Sequence, residues 1–216
     1  MKEQNTPKTP DEQTNEPFNW KAELLSWIQI LFAAAAIAFV LNTFIIANSR
    51  VPSASMENTI MTGDRVIGSR LTYYWNEPER GDIAIFIYGY GCRRCHVSYQ
   101  ENPDGICPSC GQSDKKNEKI YYVKRVIGLP GDVIDIRDNG VYLNGSETPL
   151  EEPYLPEVME TPEELHFEVP EGHYFMLGDN RNYSADARFW YFNYIESDRI
   201  LAKVLFRYFP NISKIK

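Results

Sequence analysis

From Leu24 to Ile46 the chain carries no charged residue: LLSWIQILFAAAAIAFVLNTFII. At 1.5 Å per residue a helix over this run spans about 34 Å, enough to cross the hydrocarbon layer of a bilayer. Its polar members, Ser26, Gln29, Asn42 and Thr43, lie near its ends, and Trp20 and Trp27 suit interfacial positions. A buried core helix and a cleaved signal peptide are the competing readings. The run is too long for a signal peptide and the lead before it, residues 1–23, is acidic rather than basic, so we read an uncleaved transmembrane anchor. Lys2, Lys8 and Lys21 precede the run, while Arg50 and Arg65 follow it, a difference that barely satisfies the positive-inside rule.

The anchor and its polar lead leave about 170 residues, sufficient to bury a core without covalent staples. The net charge of −8 and the lack of a basic run argue against a nucleic-acid partner. Residues 1–19, with Pro7, Pro10 and Pro17, are expected to be disordered. Beyond the anchor, short apolar runs alternate with turn signals. They predict strands over Arg65–Ser69, Asp82–Tyr88, Lys119–Ile127, Val133–Arg137, Val141–Leu143, His173–Leu177 and Ile200–Phe209. Asp138-Asn139-Gly140 is a hairpin turn signal, and the acidic stretch Glu151–Glu164 reads as an exposed loop. The expectation is a mainly β, antiparallel domain over residues 47–216, after a tail over 1–23 and a transmembrane helix over 24–46.

Five residues after the apolar run comes Pro52-Ser53-Ala54-Ser55-Met56. A serine hydroxyl is a poor nucleophile until a base removes its proton. The chain has His96, His166 and His173, none in a protease-like setting, and a histidine triad stays open at this point. Lys124 is the stronger candidate. It interrupts the apolar strand IYYVKRVIGL, where alternation puts Tyr122, Lys124 and Val126 on one face. Desolvation disfavours an ammonium, so a buried lysine titrates nearer neutrality and can serve as a base. A lysine in a strand is more often a surface residue with a snorkelling head, and a Pro-Ser-Ala-Ser turn is more often an ordinary loop.

Several segments together resemble the bacterial type I signal peptidases. Ser53-Ala54-Ser55-Met56-Glu57-Asn58-Thr59-Ile60 is similar to that family's S-x-S-M-x-P-T-L box, and Gly63-Asp64-Arg65-Val66 to the next. Arg80-Gly81-Asp82-Ile83 and Tyr122–Asp132 resemble the two halves of its lysine box. Gly178-Asp179-Asn180-Arg181-Asn182-Tyr183-Ser184-Ala185-Asp186-Ala187-Arg188 resembles G-D-N-R-x-x-S-x-D-S-R. The resemblance implies a Ser/Lys dyad that needs no cofactor for catalysis, with Ser55 as nucleophile and Lys124 as general base and later acid. It implies an oxyanion hole from the Ser55 backbone N–H and the Ser53 hydroxyl, and Ser184 hydrogen-bonded to the lysine. Asp186 and Arg188 would be a supporting ion pair, Asp179 would pair with Arg125, and Val51, Tyr122 and Val123 would line shallow pockets for small side chains. The implied substrates are the signal peptides of exported pre-proteins, cut after small-x-small sites such as Ala-x-Ala. The implied place is the cell membrane, with the N-terminus cytoplasmic and the catalytic domain on the far side. The chain departs from the pattern at Asn58, where proline is common, at Asn182 and Tyr183 for Asp-Asn, at Ala187 for serine, and at Tyr191 for glycine.

Cys92-Arg93-Arg94-Cys95 and Cys107-Pro108-Ser109-Cys110-Gly111 are separated by eleven residues. Paired Cys-x-x-Cys turns at this spacing are a tetrahedral metal signature, and Cys-Pro-x-Cys-Gly is typical of a zinc-ribbon knuckle. We expect a small zinc-ribbon-like insert over residues 89–118. Disulfides and rubredoxin-like iron are the alternatives. Stability, substrate docking and contact with the translocation machinery are all roles compatible with it. Two other readings compete with the peptidase: a membrane-anchored zinc-ribbon binding protein without catalysis, and a self-cleaving Ser/Lys regulator or a pilin-type processing enzyme with narrow substrates. The first is disfavoured by the presence of Ser55, Lys124 and Ser184, the self-cleaving regulator by the lack of room and charge for a DNA-binding domain.

Overall fold

The structure, a computed structural model, describes residues 20–100, 104–161 and 163–215; the expected disorder of residues 1–19 lies outside them. The chain divides into two compact units, Met1–Phe39 and Val40–Lys216. Helix α1, Trp20–Val40, has no buried residue. A helix that is apolar all round and faces no protein core has the character of a lipid-facing span. The helical course continues as a π turn over Leu41–Ile45 and stops at Ile46, whose backbone is extended. The helix long and apolar enough to cross a membrane runs over Trp20–Ile45, and the predicted segment 24–46 lies almost wholly within it.

The second unit is built from antiparallel strands, as expected. β1 is Ile46–Arg50, β2 Arg65–Ser69, β3 Ile83–Gly91, β4 Ser98–Gln100 and β5 Glu118–Gly128. β6 is Val133–Arg137, β7 Gly140–Leu143, β8 Leu165–Glu168 and β9 His173–Leu177. β10 is Ile195–Glu196, β11 Ile200–Phe209 and β12 Ser213–Lys214, and a short helix α2, Arg70–Trp75, follows β2. The main sheet runs β1-β2-β11-β3-β5-β9-β10, with β12 on β11 and β4 on β3; a second sheet runs β7-β6-β8. The β6–β7 turn holds Asp138 and Asn139 at φ of 49° and 59°. These left-handed values match the twist of a two-residue hairpin, which explains the residue types found there.

β3 reads as a continuous apolar run because both of its faces are covered. Ala84 and Phe86 join one core with Val126, Phe175 and Leu177. Ile83 and Ile85 join another with Ala47, Val51, Met56, Ile60 and Val66. The second core fixes the start of the domain. β1 takes up all but Val51 of the interval between the helix, which ends at Ile45, and Pro52, and pairs with β2 from Ile46↔Ser69 to Arg50↔Arg65. The stretch Glu151–Glu164 is not simply an exposed loop. Met159 is buried, and the Glu152 carboxylate, 5% exposed, turns inward to meet Arg181.

Candidate active site

Ser55 stands on a tight 3-10 turn, Ala54–Met56, that follows β1. Val51, Met56 and Ile60 bury their side chains in the core beneath, so the turn is pinned on both sides of the serines. Fully burying side chains of this size contributes about 1.5–3 kcal/mol each. Asn58 adopts φ 80°. Proline, locked near φ −65°, cannot take that conformation, so its replacement here marks a different backbone path and not only a change in stiffness.

Lys124 lies on β5 opposite Ala84 of β3 and is 3% exposed. Burial pulls its ammonium down to about 8; Asp186 and Asp179 oppose the shift, and Arg188 adds to it. The nitrogen stands 5.8 Å from the centre of the Tyr122 ring. Ser53, Ser55, Val51, Tyr122, Val123 and Lys124 all line one groove of roughly 410 Å³. Ser53 Oγ is 3.3 Å from Ser55 Oγ. The groove thus brings together two hydroxyls and a desolvated amine beside apolar walls.

Behind the groove lies the segment from Gly178 to Arg188. A Cβ placed on Gly178 would stand 2.2 Å from Ser184 Oγ and 2.4 Å from the Ser55 carbonyl oxygen. Glycine is required there because the two serines approach each other across it. The Asn180 backbone N–H donates to the Ser55 carbonyl at 3.1 Å, and Asn180 Nδ2 donates to the Ala54 carbonyl at 3.0 Å. Ser184 Oγ is buried and, among the described residues, makes no hydrogen bond. The bond to the lysine nitrogen implied by the resemblance is not formed in this structure.

Charged groups hold this segment from behind. Arg125, on the opposite face of β5 from Lys124, grips Asp179 through two bonds of 2.8 and 2.7 Å, with both side chains almost fully enclosed. Thr59 Oγ1 donates to the same carboxylate at 2.5 Å. Arg188 Nε donates to Asp186 at 2.8 Å, and the Gly178 N–H donates to the other Asp186 oxygen at 3.1 Å. Arg181 donates to the Gly178 carbonyl and forks onto Glu152. Asp179 is thus paired with Arg125, and Asp186 with Arg188. The parts played by Gly178, Asn180, Thr59, Arg181 and Glu152 were not foreseen. Asn180 and Arg181 stand inside a recognised box, but Glu152 lies in a stretch with no signal of its own.

None of the three histidines lines the groove. His166 Nδ1 is 2.6 Å from Asp135 at the surface, His173 Nδ1 is 2.9 Å from the Glu171 carbonyl, and His96 belongs to the cysteine insert. This removes the histidine triad left open by the sequence.

Cys92, Cys95, Cys107 and Cys110 are unbridged, and their sulfurs all lie within 4.8 Å of one another. The Cys92–Cys110 and Cys95–Cys107 sulfurs are each 3.5 Å apart. Four thiolates placed tetrahedrally at about 2.3 Å from zinc are about 3.8 Å apart, so the cluster fits a structural Zn²⁺. β4 pairs with β3, and Asn117 Nδ2 donates to the Tyr99 hydroxyl at 2.9 Å. Metal analysis of the purified protein is expected to give about one zinc per chain. No metal together with no titratable thiols would instead indicate disulfides.

The family model described as "Signal peptidase, peptidase S26" matches residues 24–209. A signal peptidase I of Leptolyngbya laminosa is 32% identical, over 95% of this chain and 90% of its own length. A signal peptidase I of Bacillus licheniformis is 31% identical, over 94% of this chain and 95% of its own. A crystal structure of a signal peptidase I from Enterococcus faecalis V583 is 28% identical, with a TM-score of 0.38, covering 59% of this chain and 97% of that one.

Proposed function

Because the chain belongs to the signal peptidase family, peptidase S26, we propose that it is a membrane-bound serine endopeptidase that removes signal peptides with a Ser55/Lys124 dyad. One observation carries the reading: Ser55 and Lys124 line a single groove, and Lys124 is the buried cation of that groove. The neutral Lys124 amine takes the Ser55 Oγ proton as the oxygen attacks the scissile carbonyl. The Ser53 hydroxyl and the Ser55 N–H stabilise the tetrahedral oxyanion. As that intermediate collapses, the Lys124 ammonium protonates the leaving amine of the mature protein. Water, deprotonated by the same amine, then releases the acyl group, and the proton returns to Ser55 Oγ. Ser184 aims the lysine through a hydrogen bond formed once substrate fills the groove. Val51, Tyr122 and Val123 frame pockets for the small side chains of an Ala-x-Ala site.

The span Trp20–Ile45 keeps this chemistry in the bilayer that holds its substrates. We place residues before it in the cytoplasm and the catalytic unit on the far side, with the cysteine insert as the element available to the translocation machinery. The full-length protein in lipid vesicles is expected to cut a pre-protein after Ala-x-Ala. Ser55→Ala should lower the rate by about 10⁴-fold or more. Sequencing the new N-terminus checks the site, and cleavage that survives in Ser55→Ala would remove that serine from the mechanism.

A further inference from the structure

Two unlike hollows flank the Ser55 turn. The groove lies on its Ser53 side. A second hollow of roughly 460 Å³ opens on its Ala54 side, against Asn58, Asn180, Glu57 and Glu157. Tyr183 lines both, and it is 75% exposed, so the two meet at this one side chain. The charged side chains lining the second hollow are both acidic. Glu157 accepts from Asn182 Nδ2 at 2.9 Å, and Glu57 accepts from Thr62 Oγ1 at 3.2 Å, both at the surface.

Two departures from the family pattern converge here. Asn58 and Tyr183 both line the hollow, and the φ of 80° at Asn58 excludes the proline common at that position. A polypeptide with its small side chains against Val51, Tyr122 and Val123 and its scissile carbonyl at Ser55 Oγ must continue past the serine turn on its leaving side. The hollow that adjoins the groove, at Tyr183 on the Ala54 side of the turn, is the space available to it.

We infer that this hollow is the leaving-side subsite: it takes the first residues of the mature chain, and Glu57 and Glu157 favour a basic side chain over an acidic one. The inference rests on the proposed function. The exposed Tyr183 ring offers a surface for the aliphatic stem of a lysine whose ammonium reaches the two carboxylates. These contacts are solvent-exposed, so the preference is moderate and sensitive to salt.

The test compares three substrates with one signal segment ending in Ala-x-Ala and with Lys, Ala or Glu at the second and third mature positions. The full-length protein in detergent is expected to favour Lys over Glu by about fivefold in kcat/KM at low salt. The ratio should fall towards one in Glu57→Gln/Glu157→Gln, and in the unaltered protein at about 0.5 M salt. Glutamine keeps the acceptor oxygens for Asn182 and Thr62. A ratio near one in the unaltered protein, or one that persists in the double variant, overturns the subsite and leaves the peptidase reading standing. If the double variant cuts none of the three, the salt series decides, and a ratio indifferent to salt overturns the subsite. Failure of the unaltered protein to cut any of the three overturns the peptidase reading and the subsite with it.

Discussion

Replacing Lys124 with methionine is expected to abolish cleavage and, at the same time, to make the folded protein more stable by about 3 kcal/mol at pH 7. The two effects have one cause. Lys124 is 3% exposed, and burial lowers its pKa from 10.5 to about 8. In the unfolded chain the ammonium is hydrated and titrates near its ordinary value. Between about 8 and 10.5 the unfolded state therefore binds more protons than the folded state, and stability rises with pH through that window. Below about 8 the folded state carries the full cost of a buried ammonium. Methionine matches the stem of the lysine and lacks the charge, so that cost disappears and the base disappears with it. Chemical denaturation at pH 7 and at pH 10.5 reads the effect directly: the gain over the unaltered protein should be large at the first pH and small at the second. Equal gains would mean that Lys124 is solvated and a poor base. With Lys124 as the proposed base, the cleavage rate of the unaltered enzyme should climb about tenfold per pH unit up to about 8 and then level.

The parts of this site that were legible in the sequence are those set by local pattern. A lysine within an apolar alternating strand signals a burial problem whatever the fold, and Ile200–Phe209 and His173–Leu177 announce themselves by their runs. β1 did not. IANSR adjoins the apolar span, shows no alternation, and becomes a strand only because β2 lies beside it. The residues between the apolar helix and the Ser55 turn thus form a paired strand. Glu152 was equally hidden: in an acidic, proline-bearing stretch nothing distinguishes the one carboxylate that Arg181 will enclose. Asn58 shows a third kind of limit. Its identity is plain in the sequence, but its positive φ, and so the reason proline is excluded, is a property of the assembled turn.

Asp179→Ala is expected to cost about 3–5 kcal/mol, because it removes the carboxylate that pairs with the enclosed Arg125 guanidinium. Arg125 also donates to the Gly81 carbonyl at 2.7 Å and stacks on Tyr154 at 3.7 Å. The pair carries a desolvation cost of its own. Two charges are taken out of water to form it, and apolar side chains of similar volume often do as well. Arg125→Met/Asp179→Leu should accordingly recover most of the stability lost in the single variant. Cleavage should not recover with it. Asp179 Oδ2 also receives the Thr59 hydroxyl at 2.5 Å, so the carboxylate ties the residues after Ser55 to the segment that carries Gly178 and Ser184. An apolar replacement fills the space and drops that tie. Urea midpoints with a constant denaturant slope measure the first claim, and kcat on an Ala-x-Ala substrate measures the second. A double variant that regained both stability and kcat would reduce the pair to packing; one that regained neither would show that the ion pair, and not the volume, holds the two halves of the site together.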